Sequence, residues 1–116
     1  MARQTLTKTA APGPDPTAGV AVTMTAADTG NFEQFTWTGR EVIIVQNTHA
    51  STTYTYTLTS VADERGRTLD ITTQNIVAGA IHVIGPLSSQ GWRQTNGYIY
   101  MQANNASVKW GVITLP

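Results

Sequence analysis

The chain has 116 residues, seven basic and seven acidic side chains that cancel, 12% charged residues and no cysteine. This length fits one domain able to bury a core without staples. The missing thiols exclude disulfides and thiolate metal sites, and sparse, balanced charge argues against a nucleic-acid binder.

No apolar run approaches the roughly 18 residues of a transmembrane helix. Arg3 and Lys8 are followed by no apolar segment, so the N-terminus does not read as a secretory signal. The expected site of synthesis is therefore a cytoplasm. Threonine is about one residue in six, a strong β bias because its branched side chain suits a pleated surface. Low charge with many neutral polar groups suits a surface that a partner will cover, and equally an ordinary β protein.

Residues 1–19 read as an extended arm. Met1 to Thr9 alternates weakly, and Ala10 to Gly19 holds three of the five prolines, which cannot continue a ladder or a helix. Ordering such a segment costs on the order of 20 kcal/mol at about 1 kcal/mol per residue. Apolar burial alone would need about 800 Å² to offset that, far beyond what Leu6 and two alanines supply. A fixed arm must gain backbone pairing from its own domain or from a neighbour.

Val20–Thr25 reads as a strand with Val20, Val22 and Met24 on one face, followed by a turn over 26–31 and a strand over Gln34–Trp37. Glu41–Asn47 is apolar on both faces, as a strand buried on both sides would be. Thr53–Thr59 alternates strictly, with Tyr54, Tyr56 and Leu58 on one face. These two read as neighbouring strands joined by a short polar loop. Ala62–Arg67 is a charged turn, Thr68–Thr72 a strand, 75–79 a connection and Ala80–Ile84 a strand ended by Gly85-Pro86. Asn96-Gly97, between Trp92–Thr95 and Tyr98–Met101, is a two-residue hairpin signal of type I′. Val108–Thr114 closes the series, with Val108, Trp110 and Val112 on one face. About eight short strands and no helix predict an all-β domain: a β-sandwich or jelly roll over 20–116, with a small barrel as the alternative.

Catalytic patterns are missing. His49 and His82 belong to no His-Glu-x-x-His or other ligand-spaced pair. Ser60, His82 and Asp63 can be written as a triad, but no Gly-x-Ser-x-Gly elbow marks a nucleophile. Asp63 and Glu64 are adjacent, beside Arg65 and Arg67, which suits a solvated turn. No glycine loop for phosphate is present, and no metal or other cofactor is expected. Among the aromatics, Trp110 reads as core. Tyr54 with Tyr56, and Tyr98 with Tyr100, form same-face pairs suited to cross-strand contact. Trp92, after Gly91 in a turn-rich segment, is the aromatic expected at a subunit contact.

Several features then fall in one order: Pro14-Asp15-Pro16-Thr17-Ala18-Gly19-Val20, Glu41–Asn47, Val77-Ala78-Gly79, Gly85-Pro86-Leu87, Gly91-Trp92 and a close on Trp110–Pro116. In this the chain resembles the small capsid decoration (cement, or head auxiliary) proteins of tailed bacteriophages. The resemblance implies a non-enzymatic β-sandwich or jelly-roll domain, commonly trimeric, on the outside of an icosahedral head. Its arms or loops would reach across junctions between major capsid protein subunits. On that reading residues 1–19 are an interaction arm. Arg3, Leu6, Pro12, Pro14, Pro16, Pro86 and Trp92 are then the expected partner contacts. Two other readings stay open. A carbohydrate- or receptor-binding sandwich predicts an exposed aromatic row including Trp92, Tyr98 and Tyr100. A small β-barrel enzyme requires His49 or His82 in a cleft with a carboxylate.

Overall fold

The computed structural model describes residues 3–15, 17–62, 65–66 and 71–116. The fold is all-β and sandwich-like. Its strands are β1 (Gln4–Thr5), β2 (Lys8–Ala10), β3 (Thr25–Ala26), β4 (Glu33–Thr36), β5 (Glu41–Asn47), β6 (Tyr54–Thr59), β7 (Ile71–Ile76), β8 (Ile81–Ile84), β9 (Tyr98–Ala103) and β10 (Val108–Thr114). One sheet, A, runs β1-β4-β9-β6-β7. The other, B, runs β2-β10-β5-β8, with β3 also pairing β10.

Alternation builds the interior. Glu41, Ile43, Val45 and Asn47 of β5 are buried, as are Val108, Trp110 and Val112 of β10. Sheet A meets them with Phe35, Leu58, Ile99 and Met101, each at most 1% exposed. Tyr56 sets its ring edge-on to Trp110 with centroids 5.6 Å apart, joining the two layers.

The N-terminal segment is part of both sheets. β1 adds in parallel to β4 and β2 adds in parallel to β10. Leu6, between them, is 5% exposed and sits in the core. The chain thus steps from one sheet to the other along one side of the sandwich. Leu6 N–H donates to Gln34 O at 2.9 Å and Ala11 N–H to Thr114 O at 2.8 Å. This backbone pairing offsets the ordering cost that apolar burial could not. Beyond Ala11 the described residues are largely exposed as far as Ala21.

Several expectations are corrected. β5 and β6 are not ladder neighbours: they lie in opposite sheets, and the 48–53 loop arches between the layers. Asn47 forms that arch, its Nδ2 donating to Thr52 O at 2.8 Å and Ile76 O at 2.9 Å while its Oδ1 accepts His49 N–H. Val20–Met24 is not a strand. Only Thr25–Ala26 pairs with β10, and the preceding residues cross the outer face of sheet B, where Met24 and Val22 lie over Gly111. Gly111 carries no side chain because that space is taken. Thr68–Asp70 of the expected 68–72 strand, with Asp63, Glu64 and Arg67, lie outside the described residues.

The Asn96-Gly97 turn also differs. Gly97 N–H donates to Gln94 O and Gln94 N–H to Tyr98 O, and Gly97 alone in the turn has positive φ, at 89°. That is a type I turn closed by a glycine bulge rather than type I′. Its N-terminal side is an irregular turn over Ser89–Trp92, not a strand. The two tyrosine pairs do not meet either. Tyr56 opposes Ala103 across β6 and β9 and faces the core, while Tyr98 and Tyr100 alternate with buried Ile99 and Met101 on the outer face.

Candidate functional site

Of the expected contact residues, Arg3, Leu6 and Trp92 are engaged within the chain. Arg3 stacks its guanidinium over the Tyr100 ring at 4.0 Å and donates to the Glu33 and Met101 carbonyls. Leu6 is core. Trp92, at 9% exposed, packs in the core as well, so it is not the surface aromatic that its turn-rich context suggested. Pro12, Pro14 and Pro86 are exposed, and Pro16 lies outside the described residues.

The polar interior is structural. Glu33, fully buried on β4, accepts from Asp28 N–H at 2.6 Å and from the Gln4 amide at 3.4 Å. The Trp110 indole N–H acts on the same carboxylate without forming a full hydrogen bond, leaving Glu33 Oε1 and Trp110 Nε1 short of a normal partner. Burial pushes the Glu33 carboxyl above the usual carboxylate range. Glu41 shows the opposite net balance. Burial pushes its carboxyl up, but bonds from the Thr38 hydroxyl and N–H, with Lys8 at 3.2 Å, outweigh it and leave the pKa low. Both carboxylates tie the N-terminal strands to the sandwich.

Both histidines are bonded within the fold. His49 Nδ1 accepts the Ser51 and Thr52 N–H groups at 3.1 and 3.0 Å, so it shapes the arch. His82 Nδ1 is 2.8 Å from the Tyr56 hydroxyl. Among the described residues no group of three His, Cys, Asp or Glu side chains is arranged to hold a metal.

The outer face of sheet B is a different kind of surface. Register places Val83 beside Ile44 and Ile44 beside Gly111, with Val42 beside Ile113 in the next row. Ile81 and Val83 on β8 are 58% and 66% exposed, and Val77, in the turn feeding β8, is 58% exposed. Covering these three would contribute about 1–2 kcal/mol each, scaled from the 1.5–3 kcal/mol for a fully buried Val or Ile. On this face Lys109 stands at one corner, opposite Gln46. A β5 that is apolar on both faces is thus satisfied on one side by the core and only partly on the other. These residues were not expected as contacts, although their signal was in the sequence: Ile81 and Val83 alternate with His82.

The chain matches no protein-family model, no curated protein and no solved structure.

A second feature lies on sheet A: an open cleft of about 290 Å³ lined by Thr55, Thr57, Gln102, Asn104, Thr73 and Phe32, among others. Phe32 and Thr73 have positive φ, 67° and 44°, the only such non-glycine residues among those described. Backbone strain of this kind concentrates where side chains are held for a purpose. The lining offers neutral hydroxyls, amides and two aromatic residues, Phe32 and Tyr56, which suits neutral polar ligands and gives no acid-base pair.

Proposed function

We propose that this is a non-enzymatic, homo-oligomeric virion protein that decorates the outer surface of a tailed-phage capsid and cements its major capsid subunits. The observation that carries the reading is the apolar outer face of sheet B, formed by Val42, Ile44, Ile81, Val83 and Ile113. A contiguous apolar surface of this kind, with little charge, suits a protein that works covered rather than free. The family resemblance supplies the particle, and the embedded β1 and β2 supply a rigid body that can bridge subunits without loosening.

The test is co-sedimentation with expanded phage heads that lack their decoration protein. The expected result is saturable binding at a fixed ratio to the capsid subunit, reduced at least tenfold in an Ile44→Lys, Ile113→Lys variant. Wild-type protein that stays in the supernatant at every concentration would dispose of the idea.

The sheet A cleft favours a second reading, a carbohydrate-binding module. Gln102→Ala with Asn104→Ala would then abolish glycan binding while leaving the fold intact. A flat glycan array counts against it. The Trp92 part of the aromatic-row expectation no longer serves as a test, since that ring is core.

A further inference from the structure

We infer that β8 is a self-pairing edge: two copies of this chain join β8 to β8 antiparallel, centred on His82, making sheet B continuous across the pair. The inference rests on reading the protein as one that works assembled, and it names the partner at the free edge beside that apolar face as a second copy.

Edge strands normally carry some guard against pairing, such as shortness, charge, proline or a bulge. β1 is two residues long, and β2 is three with Lys8 on it. β7 has exposed polar residues from Thr72 to Asn75, a positive φ at Thr73 and a register shift against β6. β8, at the far end of sheet B, is four residues long, carries no lysine, arginine or carboxylate, and exposes Ile81 and Val83. Apart from its shortness it is the unguarded edge among the described strands.

The hydrogen-bond phase makes it self-complementary. At the start of the β5–β8 ladder, Asn47 N–H donates to Ala80 O at 3.1 Å. Alternation along an antiparallel pair then aims the N–H and C=O of His82 and Ile84 at β5. Those of Ile81 and Val83 point away, toward the free edge. A two-fold axis through His82, perpendicular to the sheet, sets Ile81 opposite Val83 of the second copy, and Val83 opposite its Ile81. Each such pair closes two backbone hydrogen bonds. The outward apolar side chains of both copies fall on the same face, so the patch on one chain extends directly into that on the other. No lysine, arginine or carboxylate on β8 opposes its own image. This is an isologous contact, whereas the trimer implied by the family resemblance needs two different surfaces at each contact.

The experiment combines sedimentation velocity from about 1 to 200 μM with residue-resolved amide hydrogen exchange on the full chain. The variants are Val83→Lys, which places charge opposite an apolar residue, and Val83→Pro, which deletes an outward N–H that β5 does not use. The expected wild-type species is a dimer, with Ile81 and Val83 amides protected alongside His82 and Ile84. In either variant association should weaken by at least 10-fold, and the Ile81 amide should exchange freely. Protection of His82 and Ile84 should persist in Val83→Lys, showing that the fold is intact. Should Val83→Lys lose that protection, Ile81→Lys replaces it under the same criteria.

A monomer at all concentrations with fast exchange at Ile81 and Val83 overturns the pairing. So does a trimer, or a dimer unaffected by both substitutions. Binding to heads by a monomer would leave the capsid reading standing and remove the β8 pair. A β8-dependent dimer that ignores heads would do the reverse.

Discussion

Replacing Glu33 by alanine should cost about 3 kcal/mol of folding stability. The side chain is fully buried and accepts from Asp28 N–H and the Gln4 amide, with the Trp110 indole N–H acting on it as well. Truncation abandons one enclosed donor, Asp28 N–H, which now bonds a carboxylate, at about 1–3 kcal/mol. It also loses a buried methylene, about 0.8 kcal/mol. Relief from burying a carboxylate returns part of this, which is why the sum is not larger. For a chain of this size 3 kcal/mol is about 10 °C in melting temperature. Urea unfolding at pH 7, followed by tryptophan fluorescence, measures it. A loss under about 1 kcal/mol would mean that Glu33 does not organise this corner of the sandwich. The pH dependence gives a second check. Burial raises the folded pKa above the ordinary 4.5 of a glutamate, so the folded state holds the proton more tightly than the unfolded chain does. Its contribution is full below 4.5 and is lost as pH rises through the folded pKa. The stability of wild type minus that of Glu33→Gln should therefore fall with pH across that window, and a rise would refute the direction.

Three further substitutions probe other parts of the fold. Lys8→Met removes the ammonium from a Glu41 side chain that is only 2% exposed, at about 1–2 kcal/mol. Because the Glu41 pKa is lowered overall, its stabilisation is present above 4.5 and lost as pH falls through the folded value, so this variant should lose less on acidification than wild type does. Trp92→Ala should cost about 3–5 kcal/mol, as expected for a core aromatic; a thermal melt close to wild type would put the ring at the surface instead. Gly111→Val places a Cβ 2.5 Å from Met24 Sδ and 3.0 Å from Val22 Cγ1, which should lift residues 20–24 and speed proteolysis between Pro12 and Met24, with unchanged cleavage telling against that seating.

Much of the sandwich was legible because alternation is a local property. β6 and β10 are where period-two patterning placed them, β5 is where its two-sided apolar run placed it, and Trp110 is core because it alternates with Val108 and Val112. Sheet membership was not legible. Nothing in the 48–53 loop distinguishes a hairpin from an arch, since the difference lies in Asn47 reaching Ile76 O, 29 residues away. The N-terminal strands were only half legible. The entropy argument required backbone partners, but parallel pairing to β4 and β10 depends on strands that lie far along the chain. Trp92 misled because a turn-rich context does not fix which way an indole points. The apolar face of sheet B was present as a double-sided pattern at Val42 and Ile44, whose outer half only the three-dimensional register leaves partly uncovered.

β10 pairs with β2, β3 and β5, and it is synthesised after all of them. Sheet B therefore has no middle until residues 108–114 have emerged, and until then β2 and β3 have lost their only ladder partner. Contacts between strands so distant along the chain close slowly, because the loop entropy must be spent before the pairing returns anything. A growing chain has to keep β5 and the apolar β8 from finding other partners during that wait. The scarcity of charge that suits the finished surface offers little protection then, so yield in a cell should respond to temperature and chaperone supply more than the stability of the folded domain would suggest.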